Sequence, residues 1–296
     1  MPFYLVLKII SEKKMKLLGK ASLLFLGIAT VLLAGCGKEE AKEQTTASAK
    51  TELKEVKVGL VGEHNEEWQY LQKQLESKGI KLTLVKFADY TLPNRALNDG
   101  EIDLNSFQHV AFLKAENEQK GFHNVGIGDT LIAPLGLFSK KIKSVDELKD
   151  GDTIAIPNDV TNGGRALKVL ELAGLIKLNP EAGYTPGVRD ITSNPKNIKI
   201  YEVDAGNTPS LLPDVAGAII NNNYCVDNGI DPIKDPIFSD GVGKVDPDNP
   251  YINIIAAREA DKDNPLYKEV VKAYQTKEVA DIIIKYHVGS VPVFKY

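Results

Sequence analysis

From residue 56 onward, apolar side chains follow two alternating periods. VKVGLV (56 to 61) alternates β-branched with polar residues and reads as a strand. Asn65 then stands as an N-cap before Glu66 and Glu67, and Trp68, Leu71 and Leu75 fall at helical spacing before Gly79 ends the helix. KLTLVKF (81 to 87) is the next strand. Pro93 opens a short helix that Gly100 closes, and IDLNSF (102 to 107) returns as a strand. A helix over 109 to 120 and a strand over 124 to 132 continue the series.

A second series begins after Pro134. LGLFS (135 to 139) and TIAIP (153 to 157) are strands, with Ser144 and Glu147 spaced as a capping box between them. RALKVLELAG is a helix ending at Gly174. IKIYEV (198 to 203) and VAGAII (215 to 220) are strands on either side of a short helix after Pro209. The Gly, Pro and Asp of DNGIDPIKDPIFSDGVGKVDPDNP mark connections, and YINIIAA (251 to 257) is a strand before two helical patterns, LYKEVVKAYQ and VADIIIKYH. This alternation predicts an α/β fold of mostly parallel sheets covered by helices. Two lobes are expected, with 56–133 and 236–296 in the first and 134–235 in the second.

The residues before 56 follow a different pattern. Lys13, Lys14, Lys16 and Lys20 precede the apolar run ASLLFLGIATVLLAG, the layout of a secretory signal over residues 1–35, with Met15 as a second plausible start. Leu33-Ala34-Gly35-Cys36 resembles the lipobox of bacterial lipoproteins, in which the cysteine is acylated and becomes the mature N-terminus. Residues 36–55 hold few large apolar side chains and read as a lipidated tether. The expected location is the outer face of a cell membrane, held there through Cys36. Cys225 is the one other cysteine, so a lipidated chain has no intramolecular disulfide.

The 296 residues carry a formal net charge of −4 with both signs interleaved, so no basic face offers itself to nucleic acid. The sequence contains no phosphate loop of the G-x-x-x-x-G-K-[ST] kind, no G-x-S-x-G nucleophile turn and no Cys/His cluster at metal spacing. The four histidines, 64, 109, 123 and 287, are isolated from one another, so a metal site requires tertiary coincidence. Neither metal, cofactor nor catalytic residue is expected.

Three stretches can hold a ligand. In IPNDVTNGGRAL, Asn158, Thr161 and Asn162 surround a helix start whose free N–H groups favour an anion, and Arg165 can give two parallel hydrogen bonds to a carboxylate. A surface arginine behind a glycine-eased helix start is the plainer alternative. FADYTLPNRAL places Tyr90, and LNSFQHVAFL places Phe107, Gln108 and His109, just past strand ends, where ligands gather in open α/β sheets. AIINNNYCV ends an apolar strand in Asn221, Asn222, Asn223 and Tyr224, and side-chain amides can bond both an ammonium and a carboxylate.

Taken together, FADYTLPNRAL, DLNSFQH, LGLFSKKIKSVDELKDGDTIAIPND, TNGGRAL and INNNY, behind a lipobox, resemble the methionine-binding (NlpA-type) lipoproteins of ABC importers. The resemblance runs from about residue 56 to the C-terminus. It implies a two-lobed fold like that of the periplasmic binding proteins, with the ligand cleft between the lobes. It also implies a monomeric receptor that captures methionine, a methionine-containing dipeptide or another apolar amino acid and hands it to a permease driven by a separate ATPase. Arg165 would clamp the ligand carboxylate, with Asn162 and Asn221 fixing the polar ends. Tyr90, Phe107 and His109 would line the side-chain pocket, with Tyr224 and His64 nearby. Val160 stands where the family usually has proline. Two readings from other classes are a cleft hydrolase with His109 or His64 as general base, and a surface adhesin.

Overall fold

A computed structural model describes residues 53–296 except 244 and 245. The expected signal segment, Cys36 and most of the expected tether lie outside the described residues.

The chain first lays down β1 (Lys54–Val61), α1 (Glu66–Glu76), β2 (Ile80–Phe87), α2 (Pro93–Asn98), β3 (Leu104–His109), α3 (Val110–Lys120), β4 (Asn124–Asp129) and the short β5 (Leu131–Ile132). It then crosses to β6 (Leu135–Phe138), β7 (Thr153–Pro157), α4 (Val160–Leu172), a small ribbon of β8 (Lys177–Leu178) and β9 (Ile191–Ser193), β10 (Lys199–Val203), β11 (Gly217–Asn221), α5 (Asn222–Asp227) and β12 (Pro236–Ser239). It returns with β13 (Asn253–Arg258), α6 (Pro265–Tyr274), α7 (Lys277–Tyr286) and β14 (Val291–Pro292), which pairs with β5.

Two sheets result, ordered β2-β1-β3-β13-β4 and β10-β7-β11-β6-β12. Each is parallel on one side and antiparallel on the other, because the returning strand β13 runs against both β3 and β4, and β6 runs against both β11 and β12. The expectation of mostly parallel sheets therefore holds for half of each. PIFS within the Gly- and Pro-rich segment was expected as connection, with 236 opening the return to the first lobe. Instead Pro236–Ser239 pairs with β6 as an edge strand of the second sheet, a position that accepts a proline. At the other end β1 begins at Lys54, two residues inside the expected tether.

Each sheet has its own core. Around the first, Trp68, Leu71 and Leu75 of α1 pack with Val58, Leu60 and Tyr274, and the Trp68 and Tyr274 ring centroids are 5.1 Å apart. Full burial of side chains of this size contributes roughly 1.5–3 kcal/mol each. Around the second, Ile154, Ile156, Leu167, Leu170 and Ile219 form the centre. A third cluster joins the two, bringing Val61 together with Phe138, Ile220 and Tyr224, with Tyr90 and Phe107 packed against it. The fold is two-lobed, and this bridging cluster lies where strand ends from both lobes meet.

Two expected caps differ. Asn65 precedes α1, but its side chain donates to the Gly62 carbonyl instead of accepting from the helix. Ser144 does accept from the Asp146 N–H, but Glu147 turns to the Lys143 N–H, so the reciprocal box does not close.

Candidate functional site

Strand exits from both lobes line a cavity of about 110 Å³. At roughly 10–15 Å³ per water-sized group, it accommodates a molecule on the scale of one amino acid. Of the eight residues singled out as ligand-binding, seven line it: His64, Tyr90, Phe107, His109, Asn162, Arg165 and Asn221. Tyr224 does not. It is buried behind Tyr90 with ring centroids 5.1 Å apart, and its hydroxyl has no hydrogen-bond partner among the described residues.

The glycines of IPNDVTNGGRAL do not form a loop. Gly163 and Gly164 lie inside α4, which starts at Val160, five residues before the expected helical run. A Cβ on Gly163 would sit 2.7 Å from the Pro157 carbonyl oxygen, and one on Gly164 would sit 2.8 Å from the Thr185 Cα. Their lack of a side chain lets the helix press against the end of β7 at Gly163 and against Thr185 at Gly164, and that brings Arg165 to the cavity. Val160 is the first residue of α4, half exposed and absent from the cavity wall. The departure from proline there affects a helix start and not the lining.

The free N–H groups expected at this helix start are already occupied. Asp159 caps α4, its Oδ1 accepting from the backbone N–H of Thr161 (3.2 Å) and of Asn162 (2.8 Å). An anion would find those two donors satisfied. Asp159 also accepts from the Asn162 Nδ2 at 3.1 and 3.0 Å. The Asn162 Oδ1 in turn accepts from the Asn221 Nδ2 at 2.8 Å and lies 3.4 Å from the His109 Nε2. Asn162 is thus fully engaged by protein, whereas the Asn221 Oδ1 is buried with no partner among the described residues.

His109 is the N-cap of α3, its Nδ1 accepting from the Phe112 N–H at 3.1 Å. The proton of the neutral ring is therefore on Nε2, facing Asn162. Burial, then the nearby Arg165 guanidinium, pushes the His109 pKa down to about 3. A histidine tied at both nitrogens and neutral at ordinary pH is a hydrogen-bonding wall residue and a poor general base.

Arg165 is almost fully enclosed. Its Nε donates to the Asp240 Oδ2 at 2.8 Å, an Nη donates to the Ala133 carbonyl at 2.9 Å, and the guanidinium lies 4.6 Å from the Tyr251 ring centroid. Asp240 is itself fixed by the Leu135 N–H on its Oδ1. Three residues that no local sequence pattern marks, Asp240, Ala133 and Tyr251, therefore place the arginine. Asp240 sits in the segment read as connection, 75 positions away, and no local pattern links the two. Opposite them, Tyr90, Phe107 and Phe112 form an apolar box with ring centroids 5.8 to 6.0 Å apart. Phe112 was hidden as an ordinary helix residue of VAFL. The Tyr90 hydroxyl donates to the Asn223 Oδ1 at 2.5 Å, linking the lobes across the cavity. Burial and neighbouring acidic groups hold that hydroxyl far above the usual tyrosine range.

His64 is half exposed, with its Nδ1 3.0 Å from the Glu66 Oε1. Glu67, His287 and Ser290 complete the wall on that side, and none of the three was anticipated. Burial alone would lower the His287 pKa, but the Glu67 carboxylate at 2.7 Å reverses this and raises it.

The arrangement offers an aromatic box, a placed cation and an unsatisfied amide oxygen around one small space, a combination suited to a zwitterion with an apolar side chain. Comparisons with known proteins point the same way. Residues 56–294 match the NlpA lipoprotein family. The chain is 42% identical to the D-methionine-binding lipoprotein MetQ of Salmonella typhimurium, over 89% of this chain and 93% of that protein. Among solved structures, it resembles a nutrient binding protein from Burkholderia cenocepacia bound to methionine, with 42% identity, a TM-score of 0.75, and coverage of 81% of this chain and 100% of that one. It also resembles the substrate binding protein of a methionine transporter from Streptococcus pneumoniae, with 36% identity, a TM-score of 0.76, and coverage of 81% and 96%. The chain belongs to the NlpA lipoprotein family.

Proposed function

We propose that this protein is a lipid-anchored solute receptor that captures methionine in the cleft between its lobes and delivers it to a membrane importer composed of a permease and a separate ATPase. The observation that carries the reading is the union in one small cavity of the Tyr90, Phe107 and Phe112 rings with Arg165 and the unpartnered Asn221 Oδ1. Aromatic faces and edges suit a thioether. Arg165 supplies the positive charge for the ligand carboxylate, and the Asn221 Oδ1 accepts from the ammonium. Asn162 and His109, whose polar atoms are taken up by neighbours, hold Asn221 in place. Capture by lobe closure follows from walls contributed by both lobes.

In this reading the first 35 residues direct export, Cys36 carries the lipid, and the folded part works as a monomer outside the membrane. Cys36→Ala should move the protein from the membrane to the soluble fraction, and retention at the membrane would refute that assignment.

Calorimetry with L- and D-methionine tests the ligand. Arg165→Ala removes charge-assisted bonds worth roughly 1.5–3 kcal/mol each, so affinity should fall by at least about tenfold. Unchanged affinity refutes the carboxylate clamp. A methionine-containing dipeptide that displaces methionine at lower concentration would transfer the assignment to the peptide.

A further inference from the structure

Histidines scattered along the sequence give no metal signal, yet the fold brings one of them to a pair of carboxylates. His287, just past α7, meets Glu66 and Glu67 in the first turn of α1, and one donor atom from each of the three lies within 4.8 Å of the others. The His287 Nε2 is 2.7 Å from the Glu67 Oε2. The cluster is mostly enclosed, with the Glu67 side chain 4% exposed, that of His287 15% and that of Glu66 25%.

Two further observations point to something beyond an ion pair. The Glu66 Oε2 is buried with no hydrogen-bond partner among the described residues. So is the Oγ of Ser290, a residue 7% exposed whose N–H donates to the His287 carbonyl and which lines the same cavity wall as Glu67 and His287. A His287–Glu67 pair alone leaves both oxygens desolvated and unpaired, a penalty that nothing else in the cluster offsets.

We propose that Glu66, Glu67 and His287 form a binding site for a divalent transition-metal ion such as zinc, with Ser290 placed to hold a metal-bound water. One imidazole nitrogen and two carboxylate oxygens are the donor set that zinc and its first-row neighbours accept, and the two carboxylates balance a divalent charge. Tetrahedral bonds of about 2.0–2.2 Å put ligand atoms about 3.3–3.6 Å apart, so donor atoms spread over as much as 4.8 Å close by up to roughly 1.2–1.5 Å, a movement within reach of the carboxylate side chains. His64, on the Glu66 Oε1, orients that carboxylate from outside. The ion would tie the start of α1 to the segment after α7, which are 220 positions apart at the Glu67–His287 contact. The site shares no residue with the Arg165, Asn162 and Asn221 group and does not depend on which ligand the cavity takes.

The test is titration of the chelator-stripped chain with Zn²⁺ by calorimetry and with Co²⁺ by visible absorption, in the absence of amino acids. One saturable equivalent is expected. Affinity should fall at least tenfold in both His287→Gln and Glu66→Gln and stay unchanged in His123→Gln, which alters an exposed histidine elsewhere. Should His287→Gln fail to fold, Glu66→Gln decides alone: loss of binding supports the site and retention overturns it. Absence of saturable binding in the unsubstituted chain, or binding that survives in either folded variant, also overturns it. Methionine affinity is measured separately, so this inference and the proposed transport role fail independently.

Discussion

Asp240→Asn removes one negative charge from beside Arg165 while keeping nearly the same shape. In the native arrangement the Asp240 Oδ2 accepts from the Arg165 Nε at 2.8 Å and lies 2.8 Å from an Nη as an ion pair, and the side chains are only 9% and 16% exposed. Losing one partner of a buried pair costs roughly 3–5 kcal/mol, because the remaining charge is left uncompensated. Two features reduce that figure here. Arg165 keeps its bond to the Ala133 carbonyl and its place over Tyr251, and an asparagine can still accept from the Leu135 N–H. A loss of about 2–3 kcal/mol remains, and a folded part of this size shifts by about 2–4 °C per kcal/mol, so the melting temperature should drop by roughly 5–10 °C. Differential scanning calorimetry without ligand measures it. Under the proposed carboxylate clamp, methionine should then recover part of the loss by restoring a negative partner to the arginine, and the ligand-induced rise in Tm should exceed that of the native chain. A variant that melts within about 1 °C of the native chain would refute the premise that Asp240 is what holds Arg165 at the cavity.

Two other perturbations follow from the same geometry. His109 is held neutral down to about pH 3, whereas an unfolded histidine takes up a proton near 6.5, so the stability it contributes is present above that pH and is lost as pH falls below it. The expected loss is about 1.4 kcal/mol per pH unit, or roughly 2 kcal/mol at pH 5, and the acid limb of a Tm-against-pH curve should flatten in His109→Gln; an unaltered limb would exclude His109 as its source. Gly163→Ala gains about 1 kcal/mol of helix propensity but drives a Cβ to 2.7 Å from the Pro157 carbonyl, a backbone atom that cannot turn aside. The overpacking cost of about 1–3 kcal/mol should outweigh the gain, lowering both Tm and methionine affinity, and a stabilised variant would contradict the close approach of α4 to β7.

Much of the fold was legible in the sequence because it depends on local periodicity. Trp68, Leu71 and Leu75 fall on one face of α1 in any context, and their full burial follows from spacing alone. Strand direction is different in kind. Whether β13 runs with or against β3 depends on where the chain comes from, and periodicity carries no sign for that. PIFS reads as connection for a related reason. Its four residues are bounded by prolines and aspartates that read as turns, and only the open edge of β6 makes a strand of them.

The cavity divides along the same line. Residues at strand exits were visible because the end of an apolar run can be read directly, and Tyr90, Phe107, His109 and Asn221 all line the space. The residues that place them lie elsewhere in the chain. Asp240 fixes Arg165 from a segment with no pattern, Tyr251 lies beneath the guanidinium from just before the returning strand, and His287 arrives from the end of the last helix. Asp159 lies inside IPNDVTNGGRAL itself, yet its role inverts the expectation of free N–H groups at that helix start. A helix start preceded by aspartate is already capped, so the same residue types that seem to invite an anion have filled the site with their own carboxylate. In the proposed clamp, charge recognition therefore falls to Arg165, one turn further in, and its strength is set by how much of that arginine Asp240 leaves free for a ligand.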